Sequence, residues 1–135
     1  MIKLLFSAVF IFATISIKAN ELDTKFNLFL DNYIESIEFQ RQHTKIPLEK
    51  LTIDPAAEPE PKTIESVLAQ NKVVFPLIQS KKEQLKNGLK FKIMELTSND
   101  AKAFLFKEDT GWQVLYIFKK FGNTWQLVRI EDHSL

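Results

Sequence analysis

Two runs near the C-terminal end carry a dense apolar pattern. Residues 112–121 read Trp-Gln-Val-Leu-Tyr-Ile-Phe-Lys-Lys-Phe, and residues 124–131 read Thr-Trp-Gln-Leu-Val-Arg-Ile-Glu. Gly122 and Asn123 lie between them, and two such residues between β-rich runs signal a hairpin. That turn sets Phe121 against Thr124 and fixes the register. Lys119 then opposes Gln126, Phe118 opposes Leu127, Ile117 opposes Val128, Tyr116 opposes Arg129, Leu115 opposes Ile130 and Val114 opposes Glu131. Side chains alternate along a strand, so Leu115, Ile117, Val128 and Ile130 share one face. Trp112, Val114, Tyr116, Phe118, Trp125, Leu127, Arg129 and Glu131 share the other. Neither face is plainly solvated, and both are expected to be largely covered.

Upstream, Leu22, Phe26, Phe29, Leu30, Tyr33 and Ile37 recur at spacings of three and four with polar residues between them. This predicts an amphipathic helix over residues 21–38. Ile46, Leu48, Leu51 and Ile53 suggest a short strand, which Pro47 confines to a sheet edge. Residues 54–61, Asp-Pro-Ala-Ala-Glu-Pro-Glu-Pro, form a stiff exposed connector; a proline-rich recognition peptide would carry a basic anchor that this stretch lacks. Thr63 is placed to cap a short helix over Ile64, Val67 and Leu68. Pro76 suits the first turn of another, with Leu77, Ile78 and Leu85 on one face and Asn87-Gly88 as its stop. Residues 89–97 and 101–107 read as strands, with turns at Asn99-Asp100 and Asp109-Thr110-Gly111. Helices followed by a meander make an α+β fold. The expectation is an N-terminal helix and two short helices packed on a curved antiparallel sheet of about four to five strands.

The first 19 residues change the picture of where this domain works. Lys3 precedes an apolar run over residues 4–17, and Ala19 ends it. This is the form of a secretory signal peptide with cleavage after Ala19, although Lys18 is unusual so near a cut. The run is shorter than the roughly 20 residues of a spanning helix, so no stable membrane span is expected once the leader is lost. Residues 20–135 then form a single domain, periplasmic or secreted. Loss of Lys3 and Lys18 leaves 16 basic against 17 acidic residues, which is not a nucleic-acid binder's balance. Cys is absent, so a lipoprotein anchor is excluded and stability must come from the core, not from disulfides.

Chemistry-bearing patterns are sparse. His43 and His133 are the only histidines and lack metal-ligand spacing. The three glycines, Gly88, Gly111 and Gly122, build no phosphate loop. Ser134 beside His133 sits at a chain terminus that is expected to fray. Glu95 could serve as a raised-pKa base, but a strand carboxylate more often faces water. Lys81, Lys82, Lys86 and Lys90 cluster around a predicted helix end, where the helix dipole favours cations; a phosphate or anionic-lipid contact is the functional alternative. No catalytic residue and no cofactor are assigned. The ligand-binding or interface candidates are Trp112, Tyr116, Phe118, Trp125, Arg129 and Glu131. In the inferred register Tyr116 opposes Arg129, and aromatic rings surround the charged pair. Arg129 either pairs with Glu131 and stacks on Tyr116 to hold a surface together, or belongs to a recognition surface for an anionic or planar ligand.

Several stretches together resemble a known superfamily. They are residues 26–30 (Phe-Asn-Leu-Phe-Leu), 45–48 (Lys-Ile-Pro-Leu), the start at Val73 to Leu77, and residues 114–120 with 122–128. The layout resembles the nuclear transport factor 2-like superfamily, the cystatin-like α+β cone, and within it small exported bacterial domains without an assigned activity. The resemblance implies a curved sheet wrapped around the first helix, with a pocket or a dimer surface at the sheet. Enzymes of the superfamily place an acid or His in that pocket, and no residue here matches such a position. The function expected is an exported non-catalytic binding or protein-interaction domain of the bacterial cell envelope. Its partner would be a small apolar or anionic ligand, another protein or a second copy of the chain. The alternative is a small acid–base enzyme, of isomerase or hydratase type, with its site in the cone. A third reading is a dedicated inhibitor or immunity partner.

Overall fold

A computed structural model describes residues 21–135; the proposed leader lies outside them. The first helix, α1, covers residues 21–35 and is followed directly by α2, Ile37–Gln42. Six strands follow: β1 (Thr44–Asp54), β2 (Lys62–Leu68), β3 (Lys90–Leu96), β4 (Asp100–Phe106), β5 (Gln113–Phe121) and β6 (Thr124–Asp132). A short 3-10 turn, Gln70–Lys72, and a third helix, α3 (Lys81–Lys86), lie between β2 and β3. The strands form one curved sheet in the order β2-β1-β6-β5-β4-β3. All neighbours are antiparallel except β1 and β6, which run parallel.

The apolar stripe of α1 packs into the sheet as its spacing predicts. Phe26, Phe29, Leu30, Tyr33 and Ile34 are buried with Val114, Tyr116, Phe118, Trp125, Leu127 and Ile130. On β4 the inward residues are Ala101, Ala103 and Leu105. The two alanines leave room for the rings of α1, an alternation of small and large residues that close packing demands.

The expected α+β architecture holds, but several elements differ from expectation. The sheet has six strands, not about four to five, because residues 62–68 extend as β2 instead of coiling as a Thr63-capped helix. Thr63, Ile64 and Val67 are β-branched, and pairing with β1 across the proline-rich connector (Leu51 with Glu65, Thr52 with Ile64) overrides the local cap signal. This pairing also moves β1 from an edge to the interior, between β2 and β6. Pro47 is tolerated because the β1–β6 register breaks between Thr44 and Glu49, so its missing N–H falls at an irregularity.

The first helix ends at residue 35, short of the expected 38. Ser36 breaks it by N-capping α2, its hydroxyl accepting from the Phe39 amide at 3.1 Å. Ile37 is therefore exposed instead of lying on the stripe. No helix starts at Pro76; Ser80 caps α3 instead, accepting from the Glu83 amide at 3.3 Å, and Leu85 points to solvent. The lysine cluster disperses. Lys81 pairs with Asp31 and Lys90 with Glu108, both at 2.8 Å.

The hairpin register holds from Phe121–Thr124 to Phe118–Leu127 and then slips. Val128 is an extra residue, a β-bulge, so Ile117 opposes Arg129, Tyr116 opposes Ile130 and Leu115 opposes Glu131. One added residue on one strand reverses the facing of everything beyond it. The expected Tyr116–Arg129 pair does not form. Val128 and Ile130 are buried, while Arg129 and Glu131 join Leu115 and Ile117 on the outer, convex face.

Candidate functional site

The concave side is filled, and its polar groups hold the fold together. Tyr33 donates to Thr44 Oγ1 at 2.7 Å, and the Thr44 hydroxyl donates to the Gln40 carbonyl at 2.6 Å. The Gln40 side chain donates to Ile78 O at 3.0 Å and accepts from Leu77 N at 2.7 Å. Tyr116 donates to Leu77 O at 3.0 Å. Gln40, Thr44 and Gln84 are the buried polar residues described, and no buried side-chain nitrogen or oxygen among the described residues lacks a partner. Burial pushes the phenols of Tyr33 and Tyr116 far above their ordinary range, so both remain proton donors. His43 stacks on Phe39 at 3.9 Å between ring centroids and bonds its own helix at Phe39 O, 2.9 Å away. Among the described residues no group of three or more His, Cys, Asp or Glu could hold a metal ion.

The six candidates therefore separate. Tyr116, Phe118 and Trp125 are buried in the core, Trp112 is half-buried at one end of the sheet, and Arg129 and Glu131 lie on the convex face. That face is laid out in rows across the strands. Val67, Glu49, Arg129, Ile117, Lys102 and Glu95 are successive cross-strand partners, as are Glu65, Leu51, Glu131, Leu115, Phe104 and Lys92. None of these side chains is buried, contrary to the expectation that both faces are largely covered. Down the middle runs an apolar band of Leu51, Leu115, Ile117 and Phe104. Phe104 stacks with Phe106 at 5.0 Å, and Lys92 Nζ sits 5.8 and 5.6 Å from their centroids.

The two flanks of the band differ in the sign of their excess charge. Glu49, Glu65 and Glu131 with the single cation Arg129 occupy the β2-β1-β6 side, and Lys90, Lys92 and Lys102 with the single anion Glu95, 3.5 Å from Lys102, the β4-β3 side. Arg129 tethers the acidic flank, reaching Glu131 Oε2 at 2.7 Å and, across β1, Glu65 Oε1 at 2.6 Å. His133 Nε2 completes the chain 3.0 Å from Glu131 Oε1. Hydrogen bonds to Glu131 and Glu65 raise the guanidinium's pKa further. For Glu131 burial works to raise the pKa, but hydrogen bonds from Arg129 and His133 outweigh it and hold the carboxyl below 4.5. A depressed carboxyl contributes stability above its unfolded pKa and loses it as pH falls through the folded value. Wild type and Glu131→Gln should therefore differ most at neutral pH, and the gap should close as pH drops below 4.5. Parallel urea titrations across this range measure it; a gap independent of pH would show that Glu131 is not engaged as described.

Glu65 escaped the sequence reading because residues 62–68 were expected to coil. The alternation Thr63, Glu65, Val67 was the signal that could have found it. Clefts border the sheet among the described residues. One, of about 500 Å³, opens where β1 parts from β6, beside Lys45, Pro47, Lys119 and Phe121. Another, of about 340 Å³, is lined by Gln79, Asn87, Leu89, Lys107, Thr110 and Trp112. Its residues come from three separate segments, and only Trp112 stood out in the sequence.

No protein-family model matches the chain, and no curated protein matches it. Among solved structures it is similar to an NTF2-like protein from Bacteroides fragilis, with a TM-score of 0.54 and 18% sequence identity over 79% of this chain. The matched region spans 46% of that protein's length. The chain thus has the NTF2-like fold, which serves both binding proteins and enzymes. At this identity the likeness speaks for the fold alone.

Proposed function

We propose that this chain is an exported, non-catalytic protein-interaction domain of the bacterial cell envelope, that the convex sheet face is its working surface, and that a second copy of the chain is its partner. The observation that carries the reading is the excess of carboxylates on one side, and of lysines on the other, of an apolar band on an uncovered face. A two-fold axis running along β5 lays the Glu49, Glu65, Glu131 flank of one copy over the Lys90, Lys92, Lys102 flank of the other. Leu115 and Ile117 then meet at the centre. Such an isologous contact is self-complementary by construction, and sorted charge steers it and penalises the inverted arrangement. The acid–base alternative finds less support, because none of the buried residues described is His, Asp or Glu.

Sedimentation of residues 20–135 tests the surface. Wild type should be dimeric at micromolar concentration. Ile117→Glu, which places a charge at the centre of a half-exposed face, should be monomeric with unchanged circular dichroism. A monomeric wild type, or a dimer that survives Ile117→Glu, overturns the reading.

Export rests on the basic start and apolar run of residues 1–19. Protein recovered from the cell envelope should begin at Asn20 or within a few residues of it. An intact Met1 on such protein would refute cleavage.

A further inference from the structure

We infer that the cleft between Trp112 and the α3–β3 corner binds a sugar acid, a pyranose ring carrying a carboxylate. Its volume of about 340 Å³ falls within the range of small-molecule sites, about 300–1,000 Å³. Three kinds of surface meet there. The first is an apolar wall. Trp112 and Leu89 are half-buried and packed against the core, so their positions are fixed before any ligand arrives. The C–H face of a sugar ring lies well on an indole, which is large, rigid and apolar over its face.

The second surface is an amide pair. Asn87 Nδ2 donates to Gln79 Oε1 at 3.1 Å. This leaves one NH₂ and one carbonyl oxygen free to face a ligand, and turning both amides over leaves the same complement. A donor beside an acceptor matches neighbouring hydroxyls, each of which can both give and accept a proton. The pair is held from behind: Gln84, itself buried, donates to Gln79 O at 2.7 Å, and Asn87 N donates to Glu83 O at 3.0 Å.

The third surface is a cation. The Lys107 stem runs beside Gly88, with Cε 3.6 Å from where a Cβ at that glycine would sit. Lys81, Lys90 and Lys102 each pair with a carboxylate. Lys107 has no ion-pair partner among the described residues. Thr110 is occupied in holding the turn, donating to Lys107 O at 2.9 Å and accepting from Trp112 N at 3.2 Å.

An inorganic anion would leave the indole and Leu89 unused. An aromatic acid would cover the amide pair without bonding it, which costs the desolvation of both free groups. A sugar acid engages all three surfaces.

Nuclear magnetic resonance titration of residues 20–135 with sodium glucuronate, glucose and sodium benzoate tests this. The chain has two Trp residues, and Trp125 is 4% exposed, so the Trp112 indole N–H reports on the cleft. Glucuronate should shift it saturably, together with the side-chain amides of Gln79 and Asn87. Glucose should shift the same signals with weaker affinity, and benzoate should bind more weakly than glucuronate. Lys107→Gln, an exposed substitution that leaves the fold intact, should weaken glucuronate about tenfold, the loss of one charge-assisted contact, and leave glucose unchanged. Absence of a saturable shift with glucuronate, equal affinity in Lys107→Gln, or tighter binding of benzoate overturns the inference.

Discussion

Phe118→Ala should destabilise the domain by about 3–5 kcal/mol, the range for deleting a buried aromatic ring. Phe118 is 0% exposed. Its ring lies edge-on to Phe26 and Phe29 at 5.7 Å and to Tyr33 at 5.5 Å. It is thus the point where three rings of α1 rest on the middle of the sheet. Relaxation into the space left behind is limited: the cross-strand neighbours are Ala101 on one side and Leu127 on the other, and an alanine cannot reach inward. The cost is a large share of the roughly 5–15 kcal/mol that holds a domain together. Urea unfolding followed by circular dichroism measures it, with Phe104→Ala on the half-exposed convex face as comparison. A loss for Phe118→Ala no larger than that for Phe104→Ala would mean that α1 is not seated on this face.

Gln40→Leu is the second large effect. Gln40 is 0% exposed, and its amide bonds both Leu77 N and Ile78 O. A leucine of similar size fills the space but leaves a half-buried donor, Leu77 N, and a buried acceptor, Ile78 O, unpaired. Each orphaned group costs about 1–3 kcal/mol, so the expected loss for the two is about 2–6 kcal/mol. The damage should be local as well as global. Residues 73–79 have no regular structure of their own beyond a turn and are held by Gln40 and Tyr116. Amide exchange at Leu77 should therefore accelerate more than exchange in β5. Uniform acceleration across the domain would show that the clamp is not specific to this segment.

Much of the architecture was legible because it rests on periodicity. The stripe from Phe26 to Tyr33 needed only spacings of three and four, and the β5–β6 turn needed only Gly122-Asn123. What escaped was decided by partners outside the local window, even where a local alternation hinted at it. Residues 62–68 become a strand because β1 is available as a partner, and the alternation Thr63, Glu65, Val67 competes in the local window with the cap signal of Thr63. The bulge at Val128 is invisible because Val suits either register. Yet it decides on which side of the sheet Arg129 and Glu131 emerge, and with them a third of the expected site. The candidates Tyr116, Phe118 and Trp125 read as a recognition cluster by residue type, but they are the aromatic types that a small disulfide-free domain also needs for its core. The cleft at Trp112 draws on Gln79, Asn87 and Lys107, which are unremarkable polar residues until α3 and the β4–β5 turn bring them together.

The parallel pairing of β1 with β6 has a kinetic consequence. Thr44 meets Leu127, and Leu51 meets Glu131, so the middle of the sheet joins segments from opposite ends of the described sequence. Closing a loop of that size before any contact repays the entropy is slow, and folds dominated by such contacts fold slowly. The hairpins β1–β2 and β3–β4–β5 can form early, but until β6 is inserted between them they are two half-sheets with nothing to join them. The rings of α1 have no complete floor to settle on in that interval. Under the proposed export, this order of events would keep the chain unfolded during transit, since its core cannot set until β6 has joined the sheet.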